Sequence, residues 1–199
     1  MLAVSLIIGI AICYILPVAG TVFTARRKRG IWKAFLWGAL AFTVSQLLIR
    51  VPILQLVLPE FSWFAVLQVY PWGYGLFLGL TAGLAEETAR WAAMRFFLKG
   101  KDSFRHGLAF GLGHGGVEAM LLIGPNMIAG LVMVLAGQAA LFPATGGNGL
   151  VAGAERLAAM TFHVGASLLI LYGVREGKAL LYWALAVALH TVLDAAVLI

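Results

Sequence analysis

From Met1 to Ala25 the chain carries no charged side chain, and the first charges follow together at Arg26, Arg27, Lys28 and Arg29. An uncharged apolar stretch of this length exceeds the roughly 20 residues a helix needs to cross the hydrocarbon core of a bilayer. In lipid, backbone polar groups must be satisfied within the segment itself, so the stretch is helical. The pattern recurs along the whole chain. Hydrophobic residues make up 62% and charged residues 11% of the 199, and no soluble fold of that size has an interior large enough to hide so much apolar surface. Lipid must act as the solvent. A soluble enzyme, a secreted disulfide scaffold, a disordered chain and a nucleic-acid binder are excluded. The expected fold is all-α, a polytopic membrane helical bundle forming one integral membrane domain over residues 1–199.

The spacing of apolar runs predicts about seven membrane-crossing helices: Leu2 to Thr24, Ile31 to Val57, Trp72 to Leu98, Phe104 to Ile123, Asn126 to Phe142, Ala154 to Gly173 and Ala179 to Ile199. The segment from Pro59 to Pro71, with Glu60, Trp63 and Tyr70, has the aromatic density of an interfacial stretch. A Gly/Pro-rich loop is expected from Pro143 to Gly153. Basic residues cluster at Arg26–Lys33 and at Lys99, Lys101 and Arg105, as cytoplasmic loops do. Positive charge follows the first apolar run rather than preceding it, which reads as a retained helix and not a cleaved signal. This count puts the N-terminus outside and the C-terminus in the cytoplasm, and it leaves Arg175 and Lys178 outside. The expected setting is a cytoplasmic membrane. Cys13, the single cysteine, reads as a small buried side chain.

Nine ionisable residues fall inside apolar helices: Arg50, Glu86, Glu87, Arg90, His114, Glu118, His163, His190 and Asp194. Each costs about 2.5–3.5 kcal/mol or more at the bilayer centre, so they must face one another or a hydrated cavity. Helical periodicity supports convergence. Glu86, Glu87 and Arg90 share one arc with Gly79 and Gly83. His114 and Glu118 are four apart, on the face of Gly107 and Gly111, and His190 and Asp194 are again four apart. Thr43, Gln46 and Arg50 form a polar stripe. The glycine faces predict close contact between the helices carrying Glu86 and His114.

Three chemistries fit these groups. In the first, a desolvated carboxylate and an imidazole activate water for hydrolysis, while a second His with an Asp stabilises the oxyanion. In the second, His114, His163, His190 and a carboxylate hold zinc; no HExxH motif is present, so no metal is expected and zinc stands as the alternative. In the third, the groups form the proton or ligand relay of a transporter. A structural Glu–Arg90 pair, Glu118 orienting His114, and Arg50 neutralising a carboxylate are the plainer roles for the remaining residues.

At these residues a resemblance emerges. Glu86-Glu87-Thr88-Ala89-Arg90, then Phe110-Gly-Leu-Gly-His114, then His190-Thr-Val-Leu-Asp194 resemble, in order, the motifs of the CAAX prenyl protease and bacteriocin-processing superfamily. With Gly113 to Ala119 (GHGGVEA), the chain is more similar to the YhfC family of glutamic-type intramembrane proteases. The resemblance implies that Glu86 and His114 activate water, that His190 and Asp194 line the oxyanion site, and that Glu87 and Arg90 support them. Two residues rather than three separate Glu87 from Arg90, and the last motif ends in Asp rather than Asn. Glu118 and His163 lie outside the superfamily pattern. The expected activity is hydrolysis of a membrane-embedded peptide or protein, with a transporter or a catalytically dead helper as the alternatives.

Overall fold

The computed structural model describes residues 2–26, 29–100, 103–139 and 149–198, with side chains as far as residue 196. Parts of both expected basic clusters, and most of the expected loop from Pro143 to Gly153, lie outside the described residues. Among the described residues all regular structure is helical, and large apolar side chains such as Leu56, Phe23, Leu135 and Leu180 stand exposed on the helices. That is the surface a polytopic membrane protein offers to lipid.

Among the described residues eight α-helices follow in chain order: α1 Leu2–Ala25, α2 Ile31–Phe42, α3 Ser62–Gln68, α4 Pro71–Ala92, α5 Phe104–Glu118, α6 Gly124–Leu135, α7 Gly149–Arg175 and α8 Ala179–Leu198. Wide π-helical turns extend several of them. Thr43–Arg50 and Ile53–Val57 carry α2 onward around Pro52. Ala119–Ile123 joins α5 to α6 just ahead of Pro125. Proline removes a backbone donor and crowds the carbonyl four residues earlier, and a turn bonded five residues back makes room for it, as in the Gly124 N–H to Ala119 carbonyl bond. The helix therefore passes the proline without breaking.

Five helices among the described residues are long and apolar enough to cross a membrane: Leu2–Ala25, Ile31–Glu60, Phe104–Leu135, Gly149–Arg175 and Ala179–Ala196. Two of the crossings expected from sequence, 104–123 and 126–142, are one continuous run here, and the expected crossing over 72–98, which carries Glu86, Glu87, Arg90 and Arg95, is not among the five. The break had been placed at Gly124-Pro125, where the π turn keeps the rod intact. The 59–71 segment is no crossing. It forms a 3₁₀ turn and the short α3, whose Trp63 and Phe64 pack edge-on against Phe77 of α4.

The chain divides into two compact units. The first comprises Met1–Ala39 and Ser103–Gly165. In it α1 lies antiparallel along the α5–α6 rod, with Gly20 beside Leu112, Pro17 beside Gly116 and Gly9 beside Met127. Tyr14 caps this packing by donating to the Met120 carbonyl at 2.9 Å. Leu6, Cys13, Ala119 and Met127 form the core between them, with Cys13 buried as expected. Gly38 and Gly113 let α2 and α5 touch backbone to backbone; a methyl group at either would run into the Phe110 or the Phe35 carbonyl.

The second unit comprises Leu40–Asp102 and Ala166–Ile199. Here α4 packs on α8, with Gly79 against the Thr191 backbone and Gly83 against Val187. Gly79 and Gly83 seat α8, whereas Gly111 and Gly115 seat α7, against Val164 and against Met160 and His163. Small residues permit a close approach without naming the helix that makes it.

Candidate active site

In the second unit α4 presents Glu86, Glu87 and Arg90 on one face, all essentially buried. Arg90 Nε donates to Glu87 Oε2 at 2.8 Å and a terminal nitrogen donates to Oε1 at 3.2 Å. Its other terminal nitrogen donates to Ser167 Oγ. This is the supporting pair the sequence anticipates. It holds a carboxylate where an unpaired charge would be prohibitively costly.

Glu87 also faces His190 on α8, where Nδ1 stands 2.8 Å from Glu87 Oε1. An ionised carboxylate only accepts, so Nδ1 carries the proton and the ring is fixed in orientation. Nε2 is then turned toward Glu86 Oε2 at 3.9 Å and Asp194 Oδ2 at 3.6 Å. Both separations exceed a direct hydrogen bond and suit one bridging atom. The Asp194 side chain is 36% exposed against 4% for His190, so Asp194 marks the open edge of the cluster. Glu86 and Asp194 thus both stand around His190 Nε2.

Glu86 has a further partner in Gln46, whose side-chain amide donates to Oε1. The amide orientation follows from its other end. Arg50 donates to Gln46 Oε1 at 3.0 Å, and a guanidinium has no acceptor to offer. The oxygen of Gln46 must face Arg50, so its nitrogen faces Glu86. Arg50 spends its remaining donors on Thr81 Oγ1 at 3.1 Å and the Leu78 carbonyl at 2.6 Å. It therefore reaches Glu86 through Gln46, a relay where the sequence reading expected direct neutralisation of a carboxylate. Gln46 and Arg50 lie in the π-helical stretch Thr43–Arg50, a form of helix that recurs at functional sites.

In the first unit His114 of α5 and His163 of α7 are both buried. Their ring centroids lie 4.7 Å apart at a 35° tilt, and a ring nitrogen of each lies within 4.8 Å of one on the other. His163 Nε2 stands 2.7 Å from Glu118 Oε2. Glu118 Oε1 accepts from Arg156 at 2.7 Å, and Arg156 also pairs with Glu155. The sequence reading gave Glu118 the task of orienting His114. Its carboxylate reaches His163, where Gly111 and Gly115 bring α7 against that face of α5. Arg156 was missed. Its signal was present: Arg156, His163 and Ser167 are spaced seven and four apart, which keeps them on one face of α7.

Two imidazoles at this distance, one of them braced by a carboxylate, have the arrangement of metal-binding histidines and their supporting shell. A buried carboxylate beside a histidine of fixed tautomer has the arrangement of an acid–base pair. Fold and residues together define a polytopic helical membrane protein that keeps clustered acidic, basic and imidazole groups out of lipid. The chain belongs to the YhfC intramembrane metalloprotease family, whose model matches residues 12–145 and 127–199. It is 32% identical over 191 residues to the protein titled "Uncharacterized membrane protein YhfC" from Bacillus subtilis (strain 168), across 85% of this chain and 74% of that one. No solved structure matches. The family description favours a metal, and the expectation that none is needed finds no support in it.

Proposed function

We propose that this chain is a zinc-dependent intramembrane endopeptidase acting on a membrane-embedded peptide or protein, as one domain in a prokaryotic cytoplasmic membrane. The observation that carries this reading is the His114–His163 pair with Glu118 and Arg156 behind it. His114 and His163 would supply two imidazole ligands, donors of the kind zinc takes in hydrolases. When bound, the ion supplies a Lewis acid that makes water acidic and polarises a peptide carbonyl. The remaining roles belong to the chain. Glu118 fixes the ring of His163. Glu87 and Arg90 fix His190, leaving Nε2 to donate to or accept from a reacting group. Asp194 stands at the open edge, where substrate arrives.

A second reading gives Glu86 the role of general base with no metal, the glutamic-type mechanism. The flanking of Glu86 by Gln46 and by His190 Nε2 favours it. In both readings the groups hydrolyse; a proton- or ligand-coupled transporter would yield no cleaved product.

The test uses purified chain in lipid nanodiscs, with its zinc content and its cleavage of membrane-embedded reporter peptides measured together. The expected result is about one zinc per chain, lost in His114→Ala and His163→Ala, with cleavage abolished by chelation and restored by zinc. Full cleavage by metal-free protein, abolished in Glu86→Gln, would transfer the assignment to the glutamic-type mechanism.

A further inference from the structure

At one end of the first unit the close of α1 lies beside the start of α5, and between them is a cavity of about 500 Å³ lined by Phe23, Thr24, Arg26, Phe104, Arg105 and Leu108. None of these residues takes part in the site above. The lining is divided by chemistry. Phe23 and Phe104 are 73% and 65% exposed, and with Leu108 they offer an apolar wall on helices that face lipid. Arg26 and Arg105 supply two permanent positive charges at the point where the apolar helices end. The Arg26 guanidinium sits 5.9 Å from the centre of the Phe23 ring, a cation–π contact that draws it over the groove. The first turn of α5 opens at Ser103, whose side chain does not cap it; that end adds outward N–H groups and the positive pole of the helix dipole.

We propose that this groove is a binding site for an anionic phospholipid. The headgroup phosphate is held by Arg26, Arg105 and the start of α5, and an acyl chain lies along Phe23, Phe104 and Leu108. The argument is charge complementarity at the depth where headgroups sit. Two guanidiniums suit a phosphodiester through paired donors. The apolar wall below them gives a lipid a reason to stay that free phosphate lacks. A zwitterionic lipid carries its own ammonium next to the phosphate and gains less from the pair.

Native mass spectrometry of the delipidated protein, offered phosphatidylglycerol and phosphatidylcholine in equal amounts, tests this without reference to proteolysis. The wild type should retain phosphatidylglycerol several-fold over phosphatidylcholine, and Arg26→Gln/Arg105→Gln should lose that preference. Arg26→Lys/Arg105→Lys should recover part of it. Arg29→Gln/Lys33→Gln removes the same charge from residues outside the groove and should leave the preference intact. Equal retention of the two lipids by the wild type would overturn the proposal. So would an equal loss in the Arg29/Lys33 variant, which would show diffuse charge attraction. Displacement of the lipid by millimolar inorganic phosphate would show an anion site with no lipid specificity, and would overturn it too.

Discussion

Gln46 is the residue whose replacement tests the site most sharply, because it touches Glu86 and Arg50 at once and is itself uncharged. Gln46→Leu keeps the approximate volume and removes both hydrogen bonds. Arg50 keeps its bonds to Thr81 and the Leu78 carbonyl, so its loss is partial. Glu86 loses the donor that fixes one of its oxygens. A hydrogen bond to a charged group is worth about 1.5–3 kcal/mol. At about 1.4 kcal/mol per tenfold, the loss of orientation at Glu86 should slow cleavage by about 10- to 100-fold. Gln46→Glu keeps an acceptor for Arg50 but sets a second carboxylate against Glu86, and should be at least as damaging. Arg50→Lys cannot fork to three acceptors; it should have a smaller effect that is not additive with Gln46→Leu. The assay is cleavage of membrane-embedded reporter peptides in nanodiscs, with helicity followed alongside. Cleavage by Gln46→Leu within threefold of the wild type, in a folded protein, would refute the relay.

Arg90→Met strands the Glu87 carboxylate and should cost about 3–5 kcal/mol, seen in equilibrium unfolding in mixed detergent. Arg90→Met/Glu87→Gln should recover much of that loss, and a cost below 1 kcal/mol in the single variant would show that the pair contributes little. Asp194→Asn keeps a hydrogen-bonding group at the open edge and should leave cleavage within about tenfold, general acid–base losses being about 10²–10⁴-fold; a relay that needs Asp194 to ionise would fail outright. Because Phe104–Leu135 is one rod, two crossings separate Lys99 from the turn at Arg175. Cysteines placed at residues 99 and 176 should therefore label from the same side of the membrane, as the positive-inside rule favours, and labelling from opposite sides would restore the seven-helix count.

The sequence by itself determined that this protein lives in lipid, that it is helical, and which of its ionisable residues must find polar partners. Each of these follows from local quantities. The length of an apolar run decides whether a helix can span, and the cost of a charge in hydrocarbon marks Glu86, Glu87, Arg90, His114 and His190 as residues that must find partners. Spacing of three or four placed Glu87 with Arg90 and His190 near Asp194, since both pairs lie within single helices. Tertiary structure alone decided which helix meets which. Gly79 and Gly83 would accept any close neighbour and received α8; Gly111 and Gly115 received α7. From that followed the turn of Glu118 toward His163, and the entry of Arg156 behind it. The π turns decided the rest. They change the angle between successive residues from the 100° that periodicity assumes, carrying the rod past Pro125 and setting Gln46 between Arg50 and Glu86. A helical pattern in sequence fixes which residues share a face. It does not fix what that face meets, because in lipid every apolar helix surface is nearly as good a partner as another until small residues and buried polar groups choose between them.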